Sequence, residues 1–351
     1  MNAYENLIAE IKSSKLPTII YGAGVLASMI QEYLSSHNLD FDGYSVDKDY
    51  HTNATKSGKP VYALEDYINE HPCNVILGIM GISQEKEMTI SSHPNVNAVL
   101  SADFPGRFPL GMDSDCGFTQ EYLDANKEAI EDLRAQLCDE ESKRQLDLFI
   151  SQRTNGNYRK IYSVAPQYFE KAVIQPCDNE VFVDCGAYDG DTIKAFTEYL
   201  GDKKYKKIFA FEADTNNVEK MKANLASMQN TVIVPKGVYD HSTTLHFSND
   251  GKTSSRISDS GITLEVTAID DFIGNEDVTF IKMDIEGCEL KALQGAAATI
   301  RRCKPKLAIC VYHRKEDILT IPQYIKSLDP TYKLYFRNYH AQSTESVIYA
   351  I

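Results

Sequence analysis

Three carboxylates and two glycines crowd one short stretch of this chain: Val183-Asp184-Cys185-Gly186-Ala187-Tyr188-Asp189-Gly190-Asp191-Thr192. The stretch follows an apolar run and opens a helical pattern. Glycine is needed where a chain turns sharply after a strand and where a ligand must approach the backbone. Gly186 and Gly190 meet that need. In dinucleotide enzymes the helix that follows such a turn points its N-terminus at a pyrophosphate. Asp184, Asp189 and Asp191 would repel one. They suit a zwitterion with an ammonium and a sulfonium centre, so the loop favours S-adenosylmethionine over NAD. Phe209-Ala210-Phe211-Glu212-Ala213-Asp214 puts another acid at the end of the next strand, 28 residues after Asp184. A carboxylate there can accept both ribose hydroxyl protons. The candidate cofactor set is Asp184, Gly186, Ala187, Tyr188, Asp189, Gly190, Thr192, Glu212 and Ala213. Gly237 and Val238 beyond the third strand join it, as does Asp284 on the fourth.

Methyl transfer from a sulfonium is an in-line displacement, so the protein must align an acceptor oxygen and manage its proton. Asp284 and His313 are expected at the ends of the fourth and fifth strands, with Glu286 two residues past Asp284. Neighbouring strand ends place all three on the sheet rim where ligands bind. His313 is the first choice of base, because an ordinary imidazole with a pKa of about 6.5 is mostly neutral at pH 7. It could instead cap the following helix, and Glu286 could brace a loop. Two acids and a histidine could hold a divalent ion, but no other motif calls for a metal and none is expected. Arg256 and Arg337 could clamp a phosphate or carboxylate of the substrate, or stand solvated. Tyr158, Tyr162, Tyr168 and Phe169 could stack on a ligand or pack into a core.

The elements that position these residues are legible as alternating runs. Strands are expected at 181–184, 207–212, 231–235, 278–284 and 306–312, with helices after most of them. A β-like insert, 244–247 and 263–268, precedes the fourth. Two final runs, 333–336 and 346–351, have no helix signal between them and should form an antiparallel hairpin. Upstream, strands at 18–21, 41–46, 74–79 and 96–100 alternate with helices from Val25 to Leu34 and from Leu64 to Glu70, after a turn at 58–62. This pattern argues for parallel α/β sheets. Residues 1–15 read as a short amphipathic helix. Glycines and prolines over 101–118 mark a boundary, and 119–153 reads as connecting helices with Thr119 as N-cap. We expect domains at 1–115 and 176–351, joined by helices at 116–175.

Gly22-Ala23-Gly24-Val25-Leu26-Ala27 fits G-x-G-x-x-A between a strand and a helix, with Asp47 ending the next strand 23 residues after Gly24. This dinucleotide-type fingerprint leaves three readings open. The domain binds a nucleotide or nucleotide-sugar, or is a degenerate fold used for dimerisation or docking, or is an NAD(P) oxidoreductase lacking a recognisable catalytic set.

The formal net charge is −14, a field that repels polyphosphate backbones and excludes nucleic acid as partner. No apolar run is long enough to span a membrane, and no signal peptide is expected. Eight cysteines without a C-x-x-C pair read as free, buried thiols in a reducing cytoplasm.

The glycine loop, Phe211-Glu212-Ala213-Asp214, Ile281-Lys282-Met283-Asp284-Ile285-Glu286-Gly287, Lys304-Pro305-Lys306-Leu307-Ala308-Ile309 and Val311-Tyr312-His313, in this order, together resemble the FkbM family of S-adenosylmethionine-dependent O-methyltransferases over about residues 160–351. The resemblance implies a class I methyltransferase fold and methyl transfer to an oxygen. Family acceptors include sugars of glycans and lipooligosaccharides and hydroxyls on polyketides, so a sugar, nucleotide-sugar or glycan precursor is the expected substrate. A protein that only binds nucleotides, or one with a second, NAD(P)-linked activity, remains the alternative.

Overall fold

A computed structural model of the protein describes residues 9, 11–52, 54–79, 82–100, 120–155, 163, 165–248, 256–257, 262–339 and 345–351. The chain forms two compact units. One comprises Met1–Asp124, Asp147–Tyr162 and His340–Thr344; the other comprises Ala125–Leu146, Ser163–Tyr339 and Glu345–Ile351.

In the first unit, β1 (Thr18–Tyr21), α1 (Val25–Ser36), β2 (Gly43–Val46), β3 (Thr55–Lys56), β4 (Lys59–Ala63), α2 (Leu64–Glu70), β5 (Cys73–Leu77), α3 (Gln84–Ser91) and β6 (Val96–Leu100) follow in order. The sheet order is β3-β4-β2-β1-β5-β6. All pairs are parallel except β3 with β4. β1 and β5 are buried along their whole length, as central strands covered on both faces must be. Ile20, Leu26 and Ile30 form the core on one face; Ile19, Leu64 and Val75 form it on the other. Residues 59–62, expected as a turn, are a strand. Pro60 is tolerated there because its antiparallel partner is only the two-residue β3.

Next in the chain come α4 (Gln120–Ala125), α5 (Lys127–Gln136) and α6 (Glu140–Asn155), three helices where one or two were expected. Thr119, the expected cap, lies outside the described residues, as do 1–8 and 10; residues 9 and 11–13 of the expected first helix are helical. The second sheet is built from β7 (Glu180–Cys185), β8 (Tyr205–Phe211), β9 (Thr231–Val234), then β14 (Phe280–Met283), β15 (Lys306–Cys310), β16 (Leu334–Asn338) and β17 (Ser346–Ala350). Its order is β16-β17-β15-β14-β7-β8-β9. The first five in sequence run parallel, and β17 pairs antiparallel with both β15 and β16. The expected terminal hairpin is therefore present, and the layout is that of a class I methyltransferase. The insert, β10 (Gly237–Val238), β11 (Thr243–Ser248), β12 (Arg256–Ile257) and β13 (Ile262–Thr267), is a separate sheet in the order β10-β13-β11-β12.

Helices α7 (Asp191–Leu200), α8 (Thr215–Asn224), α9 (Ile269–Ile273), α10 (Glu289–Gln294), α11 (Ala297–Cys303) and α12 (Asp317–Leu328) flank this sheet. α7 is fixed by an aromatic core: Phe196 stacks on Phe182 of β7 at 4.3 Å, and Phe169 and Phe280 close around them. Burying one such ring contributes roughly 1.5–3 kcal/mol. The loop between β7 and α7 is thereby held at both ends. The strand order reverses between β7 and β14, which opens a crevice at their carboxyl ends.

The described cysteines are unpaired, and Cys138 and Cys177 are exposed rather than buried. Among the described residues no helix is long and apolar enough to cross a membrane.

Candidate active site

The turn after β7 is dictated by backbone approach. Gly186 has φ +80°, and a Cβ there would stand 2.0 Å from the Asp284 carbonyl oxygen. Gly186 and Ala187 both donate their N–H to the Phe211 carbonyl, at 3.0 and 2.9 Å. Gly190, at φ +89°, leads into α7. Tyr188 is itself left-handed, with φ +48°, and its ring is 52% exposed. Its N–H donates to Glu212 Oε2 at 2.9 Å, while the Asp214 N–H donates to Oε1 at 2.8 Å. Two backbone donors thus aim the strand-end carboxylate. Burial raises the Glu212 pKa, and those two donors oppose the rise.

These groups line a cleft of about 700 Å³ at the carboxyl ends of β7, β8 and β14. Of the expected residues, the cleft brings together Gly186, Tyr188, Thr192, Glu212, Ala213, Gly237, Val238, Asp284 and Glu286. Ala187, Asp189 and Gly190 shape the loop from outside its lining. Asp184 is a correction. It is completely buried, 3.0 Å from Lys282 Nζ, and does not line the cleft. Lys282 also donates to the Gly186 carbonyl at 2.8 Å. Burial works against the charge of Lys282, but Asp184 and Asp284 hold its pKa above the ordinary value. Burial likewise pushes Asp184 up while Lys282 pulls it back. Asp184 therefore acts on the loop through this pair, and a lysine that looked like one letter of a strand is the hub.

The opposite rim gathers the expected chemistry. Asp284 Oδ2 accepts from Tyr168 Oη at 2.8 Å, and Oδ1 accepts from Tyr312 Oη at 3.1 Å. Burial opposes its charge, yet Lys282 and His313 keep its pKa below the ordinary carboxylate value. Tyr168 is thus a core residue with a functional contact; Phe169 only packs, and Tyr158 and Tyr162 lie outside the described residues. Glu286 takes φ +55°, a left-handed conformation that is uncommon for a non-glycine residue. Gly287 follows at φ +89°, and this tight turn leaves the Glu286 side chain half exposed. His313 Nε2 stands 3.5 Å from Asp284 Oδ1 and 3.7 Å from Glu286 Oε2.

Here the sequence expectation needs its second correction. The His313 side chain is 9% exposed, and its Nδ1 stands 3.0 Å from Oε1 of the fully buried Glu289. Burial lowers its proton affinity, but Glu289, then Asp284 and Glu286, outweigh that and push its pKa up to about 10. At pH 7 the ring is an imidazolium and already carries the proton a base would take. Ligand-capable atoms of Asp284, Glu289 and His313 lie within 4.8 Å of one another. A divalent ion would have to displace that proton to bind there.

Arg337 is the third correction. It is 3% exposed, held by Asp139, Glu170 and Ser142, and does not line the cleft, so it ties β16 to the start of α6 and to Glu170. Arg256 lies in β12 at the insert's edge. Residues that the sequence reading passed over also line the cleft, notably Gln167, Tyr239, Lys282 and Glu345.

In the first unit, Gly22 has φ +127° because a Cβ would stand 2.3 Å from the Gly78 carbonyl oxygen. Gly24 precedes α1 in open space. Asp47 accepts from Tyr21 Oη at 2.9 Å and pairs with Lys86. The acid of the dinucleotide-type fingerprint is engaged within the domain.

Comparison with known proteins places this architecture. Residues 184–332 match the methyltransferase FkbM domain. The crystal structure of methyltransferase FkbM from Methylobacillus flagellatus is similar over 99% of this chain and 93% of its own, with 21% identity and a TM-score of 0.72. At that identity the likeness is one of fold. An rRNA methylase from Streptococcus thermophilus covers 52% of this chain and 90% of its own at 17% identity and TM-score 0.34. Fibrillarin from Aeropyrum pernix, solved with natively bound S-adenosyl-L-methionine, covers 50% and 67% at 11% identity and TM-score 0.30. No curated protein matches the sequence significantly.

Proposed function

We propose that this chain, whose residues 184–332 match the methyltransferase FkbM domain, moves a methyl group from S-adenosylmethionine to a hydroxyl of a sugar or glycan precursor. The observation that carries the reading is the Glu212 carboxylate, fixed by two backbone N–H groups at the mouth of a cleft that continues to Asp284 and Glu286. The residues fit the cofactor's chemistry. Glu212 would accept the ribose hydroxyls. Ala213, Val238 and Tyr239 offer an apolar wall for a purine, and Asp191 and Asp284 offer carboxylates to an ammonium. When bound, the cofactor supplies an electrophilic methyl group on a sulfonium.

The chain's own residues do the rest. Tyr168 and Tyr312 orient Asp284, so an acceptor hydroxyl can be held in line without rearrangement. The described lining holds six carboxylates, those of Asp191, Glu212, Asp214, Asp284, Glu286 and Glu345, against Lys282 as its cation. Such a field favours a neutral, hydroxyl-bearing acceptor over the nucleotide-sugar considered from sequence. Free thiols suit a cytoplasmic reaction.

The test is incubation with methyl-labelled cofactor and a panel of neutral glycans, amino sugars and nucleotide-sugars, read by mass. A methyl mass shift on neutral glycans is expected. Transfer confined to nitrogen or to phosphate-bearing acceptors would overturn the acceptor assignment.

A further inference from the structure

We propose that Glu345 is the general base of this transfer, taking the proton of the acceptor hydroxyl. The inference rests on the methyltransferase reading and adds the group that manages its proton. Glu345 stands just before β17 and lines the cleft with Gln167, Tyr168, Asp284 and Glu286. Its Oε2 accepts from Gln167 Nε2 at 2.7 Å. A neutral amide fixes the carboxylate's orientation without cancelling its charge. Among the described residues Oε1 has no hydrogen-bond donor, so that oxygen remains for an acceptor hydroxyl.

The surroundings tune the group. Burial, then the charge of Asp284, push its pKa up to about 7, with Gln167, His313 and Lys282 opposing. The phenols of Tyr168 and Tyr312 and the Cys310 thiol complete the titratable neighbours. A base tuned near the working pH is both ionised often enough to act and basic enough to hold a proton.

The other groups on the rim are worse placed. His313 is already protonated. Asp284 is weakly basic, and each of its oxygens accepts from a phenol. Burial raises the pKa of Glu286, as it does that of Glu345, but Glu286 stands 3.7 Å from His313 Nε2, a cation that opposes the rise and holds this carboxylate.

In the step, a lone pair of the acceptor oxygen forms the bond to the methyl carbon. The carbon–sulfur bond breaks, and its electron pair stays on sulfur, which becomes a neutral thioether. The hydroxyl proton passes to Glu345, which later releases it to water.

The experiment uses the full chain and the variants E345Q, E345D and E286Q. Carboxyl titration of the ligand-free protein, by NMR of ¹³C-labelled glutamate, should show one signal near pH 7 that is missing in E345Q. Calorimetry should show unchanged cofactor affinity in E345Q, while transfer falls roughly 10²–10⁴-fold. The acidic limb of the rate profile should vanish, and E345D should restore part of the rate. A Glu345 carboxyl titrating in the ordinary range would overturn the assignment, as would a wild-type rate in E345Q or loss of the limb in E286Q instead. Failure of the wild type to bind cofactor would sink the methyltransferase reading itself. Wild-type transfer with an indifferent E345Q would sink only the base.

Discussion

His313 Nδ1 stands 3.0 Å from Glu289 Oε1, and this contact decides what the histidine can do. Glu289 is fully buried, and Oε1 also accepts the Ile285 N–H at 2.8 Å. The carboxylate is fixed, and the ring beside it is held as a cation. A cation between Asp284 and Glu286 organises the rim and stabilises its charges.

The ring should therefore titrate far above pH 7. Its folded pKa, pushed up to about 10 from 6.5, means that its contribution to stability is complete below about pH 6.5. That contribution declines as pH rises and is gone above about pH 10. Imidazole NMR should show no His313 titration between pH 5 and 8, and E289Q should lower its pKa. A His313 resonance titrating near 6.5 in the wild type would contradict this.

Lys282 and Asp184 are 2% and 0% exposed. Removing one partner of such a pair leaves the other charged and buried, a loss of about 3–5 kcal/mol. Lys282→Met should lower unfolding free energy by that amount in denaturant titrations. Asp184→Asn in the same chain should recover part of it. A loss below about 1 kcal/mol in Lys282→Met would show that the pair does not brace the loop.

Much of the fold was legible because its strands are uninterrupted apolar runs ended by acids, as in Phe209–Phe211 before Glu212. The terminal hairpin was legible because no helix pattern separates its strands. The site was legible only where chemistry is local. Gln167 and Glu345 meet across 178 residues of sequence, and no spacing rule links them. Lys282 sits within an apolar run, and only the structure shows it paired to Asp184. The histidine's charge depends on Glu289, the first residue of α10, which nothing in the sequence singles out. Arg337 read as a substrate clamp or a solvated side chain because its partners Asp139 and Glu170 lie far back in the chain.

Gly186 and Gly24 should separate cleanly. A Cβ at Gly186 would collide with Asp284 backbone at 2.0 Å, whereas one at Gly24 meets nothing within 4 Å. Gly186→Ala should lose cofactor binding and several degrees of melting temperature. Gly24→Ala should melt within about a degree of the wild type, since uncrowded surface changes are nearly neutral. Equal effects would refute the backbone argument.

Arg337→Ala should act on stability and not on substrate. With one guanidinium removed from between Asp139 and Glu170, two carboxylates lose their partner, at about 3–5 kcal/mol. Denaturant titration should show this loss, while KM for the acceptor stays constant in the folded fraction. A stable variant with a raised KM would restore Arg337 to the substrate site.

The account stands most directly on Glu212 and the cleft it anchors. Calorimetric titration of S-adenosylmethionine into the wild type and Glu212→Ala tests it. One site per chain is expected in the wild type, weakened at least tenfold, about 1.4 kcal/mol, in the variant. No binding by the wild type, or equal binding by both, would contradict it.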